Sequence, residues 1–394
     1  MPFFCKFAVS EIKIQVEIQE LLRQYAGHPQ IAATRKLLAD EKINNLFLQG
    51  LNGSGAAMAI ASLFTKGGGA FLCLLNDQEE AGYFYHDLNQ LTDGNGIYFF
   101  PSAYRRAIKY GHIDPANEIL RTETLSLLQS PDKPFIIVSY PDALAERVAN
   151  RKILEENTLK IHVGEKIDNM FVSDVLDEYG FEHVDYVYEP GQYAIRGSIL
   201  DVFSYSCEFP YRIDFFGSEI ETIRTFDVET QLSKERLESV YIVPEISKKS
   251  GERSSLLDSL PPQAILATKD LAWCRERIDS IWNEEPIVGD EESFADQQAM
   301  REKLITGEQF LHEALRLKRL HFGSKPLGNP DATLTFNTKL QPIFHKNFDL
   351  VSETFHHYLE AGYTLYILSD QEKQANRIRM IFEDRNESLP FTAI

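Results

Sequence analysis

From Leu46 to Ile60 the chain reads LFLQGLNGSGAAMAI: a hydrophobic run, a glycine-rich turn, then a helix-forming run. A phosphate-binding loop has this layout, with Gly, four residues, Gly, Lys, then Ser or Thr. Gly50 and Gly55 hold the spacing and Gly53 lies between them, but Ala56 and Ala57 stand where Lys and Ser/Thr belong. In a working loop the backbone N–H groups at the helix start cradle the phosphates. The lysine neutralises the terminal phosphates and the hydroxyl helps to hold magnesium. The three glycines still suit the turn, whereas the two alanines supply neither charge nor hydroxyl. An ATPase also needs a strand-end acidic pair for the metal. The candidate for that role, VGDEESF around Asp290 and Glu291, lacks a preceding apolar strand and reads as an acidic loop.

A second group of residues offers recognition rather than catalysis. In a strand over Tyr211–Phe216 (YRIDFF), Tyr211, Ile213 and Phe215 point one way and Arg212, Asp214 and Phe216 the other. Phe216 then shares a face with two polar residues. An exposed aromatic beside an arginine is the composition of a protein-binding hot spot; the plain alternative is a neighbouring element covering Phe216. Arg196, in YAIRG, shares that face if the two strands pair, or else is an ordinary solvated arginine. Gly197 permits a turn or bulge directly after it.

No other constellation suggests chemistry. His356 and His357 are adjacent but have no metal-ligand spacing. Paired acids such as Glu79–Glu80 read as solvated faces, and no Ser-His-Asp or Cys-His set can be assembled. No catalytic residue, metal or cofactor is expected for this chain.

The elements that must position these residues fall into three textures. From Asn45 to Val138, short apolar runs alternate with helical patterns, the signature of a parallel sheet with helices on its faces. Asp77 with Glu80 predicts a capping box opening one of those helices. From Thr158 to about Pro244, strands and tight turns come after a helix over Ser173–Tyr179, giving a compact α+β unit. PPQAILATK then supplies a strand with which the first unit resumes, making the middle unit an insertion. From about Thr333 a new βαβα pattern begins with TLTF, and the chain ends on LPFTAI, the start of a strand; the expectation is the N-terminal part of a longer protein. The boundaries read 1–157 and 246–332 for the two parts of the first unit, 158–245 for the insertion and 333–394 for a partial third unit.

The chain has 394 residues with 40 basic against 59 acidic, a formal charge of −19. That balance disfavours a chain whose main task is gripping a phosphate backbone. Cysteines are four (Cys5, Cys73, Cys207 and Cys274), without a CxxC pair, and no apolar run approaches a membrane span. A cytoplasmic protein is expected.

FEHVDYVYEPGQYAIRGSILDVF, then PYRIDFFGSEIETIRTFDVETQLS, resembles the UvrB-homology module of bacterial transcription-repair coupling factors. The family pattern runs close to E-P-G-E-[FY]-A-x-R-G, then P-Y-R-[IL]-[DE]-F-F-G, then I-R-x-F-D-x-x-[TS]-Q-R-S. Gln192, Ser204 and Leu232 depart from it. YFFPSAYRRAIKYGHIDPANEILRTETLSLL, IIVSYPDALAERV and KNFDLVSETFHHYLEAGYTLYILSDQEKQANRI agree more loosely.

The resemblance implies an α/β chain: a degenerate helicase-like (RecA-like) parallel-sheet domain interrupted by a small α+β domain and followed by a partial α/β domain. It implies that the small domain docks UvrA, the damage-recognition ATPase of excision repair, through positions matching Arg196, Arg212 and Phe216. These are expected to pair with acidic groups and fill an apolar socket on UvrA. The loop Gly50, Gly53, Gly55, Ala56, Ala57 becomes a relic of one intact in UvrB. The tyrosine-rich hairpin with which UvrB grips DNA has no counterpart between Tyr98 and Asp114. In the intact family, contacts to RNA polymerase and DNA and an ATP- and Mg-dependent motor lie in other regions. The protein's own C-terminal domain masks the UvrA patch there. A residual nucleotide-binding or DNA-binding domain is the alternative reading.

Overall fold

The computed structural model of the chain describes residues 18–103, 115–129, 133–246, 251–283, 301–345, 347–367, 372–385, 387 and 389–393. Residues 104–114 and the Asp290–Glu291 segment lie outside it.

Two helices, α1 (Ile18–Ala26) and α2 (Pro29–Ala39), precede a strand–helix alternation. It comprises β1 (Asn45–Gln49), α3 (Gly55–Gly67), β2 (Ala70–Leu74), α4 (Gln78–Thr92), β3 (Ile97–Phe100), α5 (Pro115–Gln129) and β4 (Phe135–Ser139). Strands β2 and β4 are apolar along almost their whole length and buried throughout, as strands covered by helices on both faces must be. The predicted cap of α4 forms: Asp77 accepts the Glu80 N–H at 2.9 Å. The return bond from Glu80 goes one residue further back, to the Asn76 N–H at 3.1 Å.

The chain then builds a separate sheet. Its elements are β5 (Leu159–His162), α6 (Asn169–Tyr179), β6 (Glu182–His183), β7 (Gln192–Arg196), β8 (Ile199–Val202), β9 (Tyr211–Phe216), β10 (Glu219–Phe226), β11 (Ser233–Leu237) and β12 (Ser239–Ile242). Strands β6 to β11 form a six-stranded sheet in sequential order, antiparallel from β7 onward, while β5 pairs with β12. One face carries a core of its own, with Tyr193, Leu200, Ile213, Phe215 and Ile223 packed against Val172 and Leu176 of α6.

The first sheet then resumes with β13 (Ile265–Thr268), α7 (Leu271–Asn283), α8 (Gly307–Ala314), β14 (Lys318–His321) and β15 (Ala332–Thr335). The parallel order is β15-β1-β14-β13-β2-β4-β3. Strand β1 is thus flanked by the two last strands of the sheet, so the chain reverses direction beside it, where open α/β sheets place their crevice.

One expectation is corrected here. TLTF was expected to open a third unit, but Ala332–Thr335 is the edge strand of the first sheet, registered from Leu46↔Ala332 to Gln49↔Thr335. A four-residue alternating strand carries no mark of which sheet it joins, and β1 had an open edge. Beyond β15 the chain forms α9 (Phe348–Glu360), α10 (Glu372–Asp384) and a short parallel pair, Tyr366–Ile367 with Thr392–Ala393.

Among the described residues no helix is long and apolar enough to cross a membrane.

Candidate functional site

Two hairpins shape the outer end of the six-stranded sheet. Arg196 faces Ile199 across Gly197–Ser198, and Phe216 faces Glu219 across Gly217–Ser218. Both glycines have positive φ, 65° and 64°. Nothing lies within 4 Å of a Cβ built on either, so backbone conformation, not crowding, requires glycine. The turns lie side by side, since Phe215 N–H donates to the Ser198 carbonyl at 2.8 Å. A bulge opposite Asp214–Phe215 places its extra residue on β10, so the alternation along β9 is kept. Phe215 enters the core and Phe216 stands at the tip, 79% exposed.

Arg196 and Arg212 do share the outer face, but neither is free. Both bind Asp201, a buried carboxylate between them on β8. Arg212 grips it in bidentate fashion, Nε to Oδ1 at 2.7 Å and Nη2 to Oδ2 at 2.8 Å. Its Nη2 also reaches Gln231 Oε1 at 2.9 Å, and its guanidinium lies 4.1 Å over the Phe226 ring. Hydrogen bonding to Asp201 pushes the Arg212 pKa further up, so it stays charged. Arg196 shares Asp201 Oδ2, donates to the Asp185 carbonyl at 2.9 Å and lies 4.9 Å over the Tyr186 ring. The Arg196 side chain is 34% exposed and that of Arg212 only 13%.

Both arginines thus already share a carboxylate within the chain, a partner the sequence reading did not include. The chain supplies the acid itself, and Arg212 has little surface left to offer. Asp201, Gln231 and Tyr186 were not singled out from the sequence. Asp201 was within reach: in ILDVF it alternates with Leu200 and Val202 and so faces outward beside the arginines. Gln231 was not, because its backbone takes a left-handed φ of 59° that no pattern announces.

The arginine row continues across the sheet. Arg212 is registered with Arg224 and Arg224 with Arg236. Like charges abreast repel, and Asp214 offsets one of them at 2.8 Å from Arg224.

The glycine loop is built differently. Gly50 and Gly53 have φ of 85° and 53°, and Gly55 opens α3. Ala56 and Ala57 are buried in the first turn of that helix. Residues after β15 close onto the loop: Thr338 Oγ1 donates to the Gly50 carbonyl at 2.6 Å and accepts the Asn52 N–H at 2.9 Å. A Cβ on Gly50 would collide with the Phe336 carbonyl oxygen. Beyond the C-terminal end of β13, Lys269 is paired with Glu80. Neighbouring His321, at the end of β14, is buried with neither ring nitrogen bonded, and burial lowers its pKa to about 4. Among the described residues no cluster of His, Cys, Asp or Glu is placed to hold a metal ion.

Residues 159–247, the segment that builds the six-stranded sheet, match the family described as the UvrB interaction domain. The chain is also similar to curated relatives, over more residues than that segment holds. The chain is 29% identical over 195 residues to the transcription-repair-coupling factor of Escherichia coli (strain K12), covering 49% of this chain and 17% of that protein. It is 30% identical over 209 residues to that of Haemophilus influenzae, with 52% and 17% covered. With that of Bacillus subtilis (strain 168) it shares 26% over 204 residues, again 52% and 17%. The matched segment thus spans about a sixth of the length of these relatives.

Proposed function

We propose that this chain is the adaptor region of a transcription-repair coupling factor and that its UvrB interaction domain recruits UvrA in nucleotide excision repair. The observation that carries this reading is Phe216, a large aromatic held in water at the tip of a glycine turn, beside arginines locked in place by a buried carboxylate. A side chain so placed costs little entropy to bury. Phe216 is the anchor, Arg196 offers its exposed edge to an acidic rim, and Arg212 holds Asp201 and the strand ends in register. Polymerase and DNA contacts and the ATP- and Mg-dependent motor belong to other regions of such a factor. Its own C-terminal domain covers the patch until it is released, and the setting is the cytoplasm.

The loop at Gly50–Ala57 serves in this reading as a turn that seats β1 against β15, not as an ATP site. Thr338 takes one N–H that phosphates would need, and the lysine is absent. A tight nucleotide complex would raise the melting temperature; Mg-ATP is expected to leave it unchanged, and a saturable rise would restore the nucleotide reading.

The docking claim is tested by immobilising the chain and passing purified UvrA over it. Retention should weaken as salt rises, because arginines contribute, and should be lost with Phe216→Ala. Retention indifferent to both changes would remove the reading.

A further inference from the structure

Helix α6 begins with two large apolar side chains in solvent, Met170 at 70% and Phe171 at 55% exposure. They are not the fringe of the helix's own packing, which is made by Val172 and Leu176. Asp168 caps the helix by accepting the Met170 N–H at 3.0 Å, which fixes this first turn.

The segment leading into the helix is stitched to the hairpin that carries Phe216. Gly164 N–H donates to the Ile220 carbonyl at 2.8 Å, Ile220 N–H to Glu165 at 3.0 Å, and Ile167 N–H to Ser218 at 2.9 Å. Lys166 and Glu219 form a bridge between the same two segments. The turn bearing Phe216 and the turn bearing Met170 and Phe171 are therefore one hydrogen-bonded assembly. Phe216, Met170 and Phe171, each more than half exposed, thus stand on two segments joined by these bonds. Scattered apolar residues on a surface are ordinary; a gathered set marks an interaction site.

Charge says what kind of partner fits. The domain is acidic overall, yet on the outer face of the sheet Arg196, Arg212, Arg224 and Arg236 outnumber the two carboxylates that pair with arginines there, Asp201 and Asp214. An apolar tip with arginines along one side fits a surface with a hydrophobic cleft and carboxylates along one wall.

We propose that the cleft that takes Phe216 also takes Met170 and Phe171, so that UvrA docks astride the hairpin tip, reaching the first turn of α6 on one side and the arginine face on the other. This rests on the docking reading above. In such an interface Phe216 is the central anchor, and the α6 pair completes the dry ring around it.

The test titrates UvrA into the parent chain, into Phe216→Ala and into the double variant Met170→Ser, Phe171→Ser. The two exposed positions should leave the melting temperature unchanged, which is measured alongside. The double variant is expected to bind about tenfold or more weakly than the parent. Parent-like affinity in the double variant, with Phe216→Ala weakened, would overturn this proposal and leave the docking reading standing. A parent that does not bind UvrA would overturn both. Sedimentation of the chain alone gives the remaining arm: self-association lost in the double variant would assign the patch to a second copy of this chain and overturn the proposal.

Discussion

Asp201 and Arg212 face each other across β8 and β9 and are joined by two hydrogen bonds, of 2.7 and 2.8 Å. The carboxylate is buried and its second guanidinium comes from Arg196. A buried charge is tolerated only when its partners are supplied, and this one has three donors from two side chains.

Removing that carboxylate should therefore unsettle the domain. Asp201→Ala leaves the largely covered Arg212 with Gln231 and the Phe226 ring but no carboxylate, which is expected to cost about 3 kcal/mol. Asp201→Asn keeps the shape and part of the hydrogen bonding and should cost less. Chemical denaturation followed by intrinsic fluorescence measures both; an alanine variant as stable as the parent would mean that Asp201 does not hold the face together.

The glycine loop makes a paired prediction. Gly50→Ala forces a side chain into a left-handed conformation and into the Phe336 carbonyl, so it should destabilise by more than about 1 kcal/mol. Gly55→Ala meets only side-chain atoms at 3.7 Å, inside a helix, and should be neutral or slightly stabilising. Thermal melts of the two variants compare them directly. Equal behaviour would contradict the strand-seating role given to the loop.

A pH dependence arises from Glu123 in α5. Burial, with a further contribution from Glu208, pushes its carboxyl up to about 7 from an ordinary value of 4.5. Burial raises the pKa values of Tyr98, Cys207 and Tyr211, and the Glu123 charge adds a smaller push in the same direction. Because the folded state keeps this proton longer than the unfolded one, its contribution to stability is full below about pH 4.5 and is lost as pH rises toward 7. Glu123→Gln should match the parent near pH 4 and exceed it at pH 7.5. Melting temperatures across that range decide, and parallel curves would contradict the assignment.

His321 gives a prediction of opposite kind. Its ring is buried and neutral and neither nitrogen has a partner. An unsatisfied polar group costs about 1–3 kcal/mol, so His321→Leu should leave stability unchanged or raise it. A large loss would show that the imidazole has a bonded role at the end of β14.

How much of this was legible in the sequence depends on what each feature rests on. The parallel sheet was, because β2 and β4 are apolar end to end and the intervening helix α4 carries its own cap. The outward placement of Phe216 was, because alternation along β9 survives a bulge lodged on β10. The allegiance of Ala332–Thr335 was not, since a strand edge recruits by hydrogen bonds that no side-chain pattern encodes. The arginines were seen but their partner was not, because Asp201 lies in another strand and only the register of β7, β8 and β9 brings the three together.

Whether Phe216 anchors UvrA decides between this reading and its alternatives. Calorimetric titration of UvrA into the parent chain and into Phe216→Ala addresses it without intermediaries. Saturable binding by the parent is predicted, with a loss of about 2 kcal/mol or more in the variant, roughly thirtyfold in Kd, and an unchanged melt. Equal affinity in the two chains, or no binding by a folded parent, would contradict it.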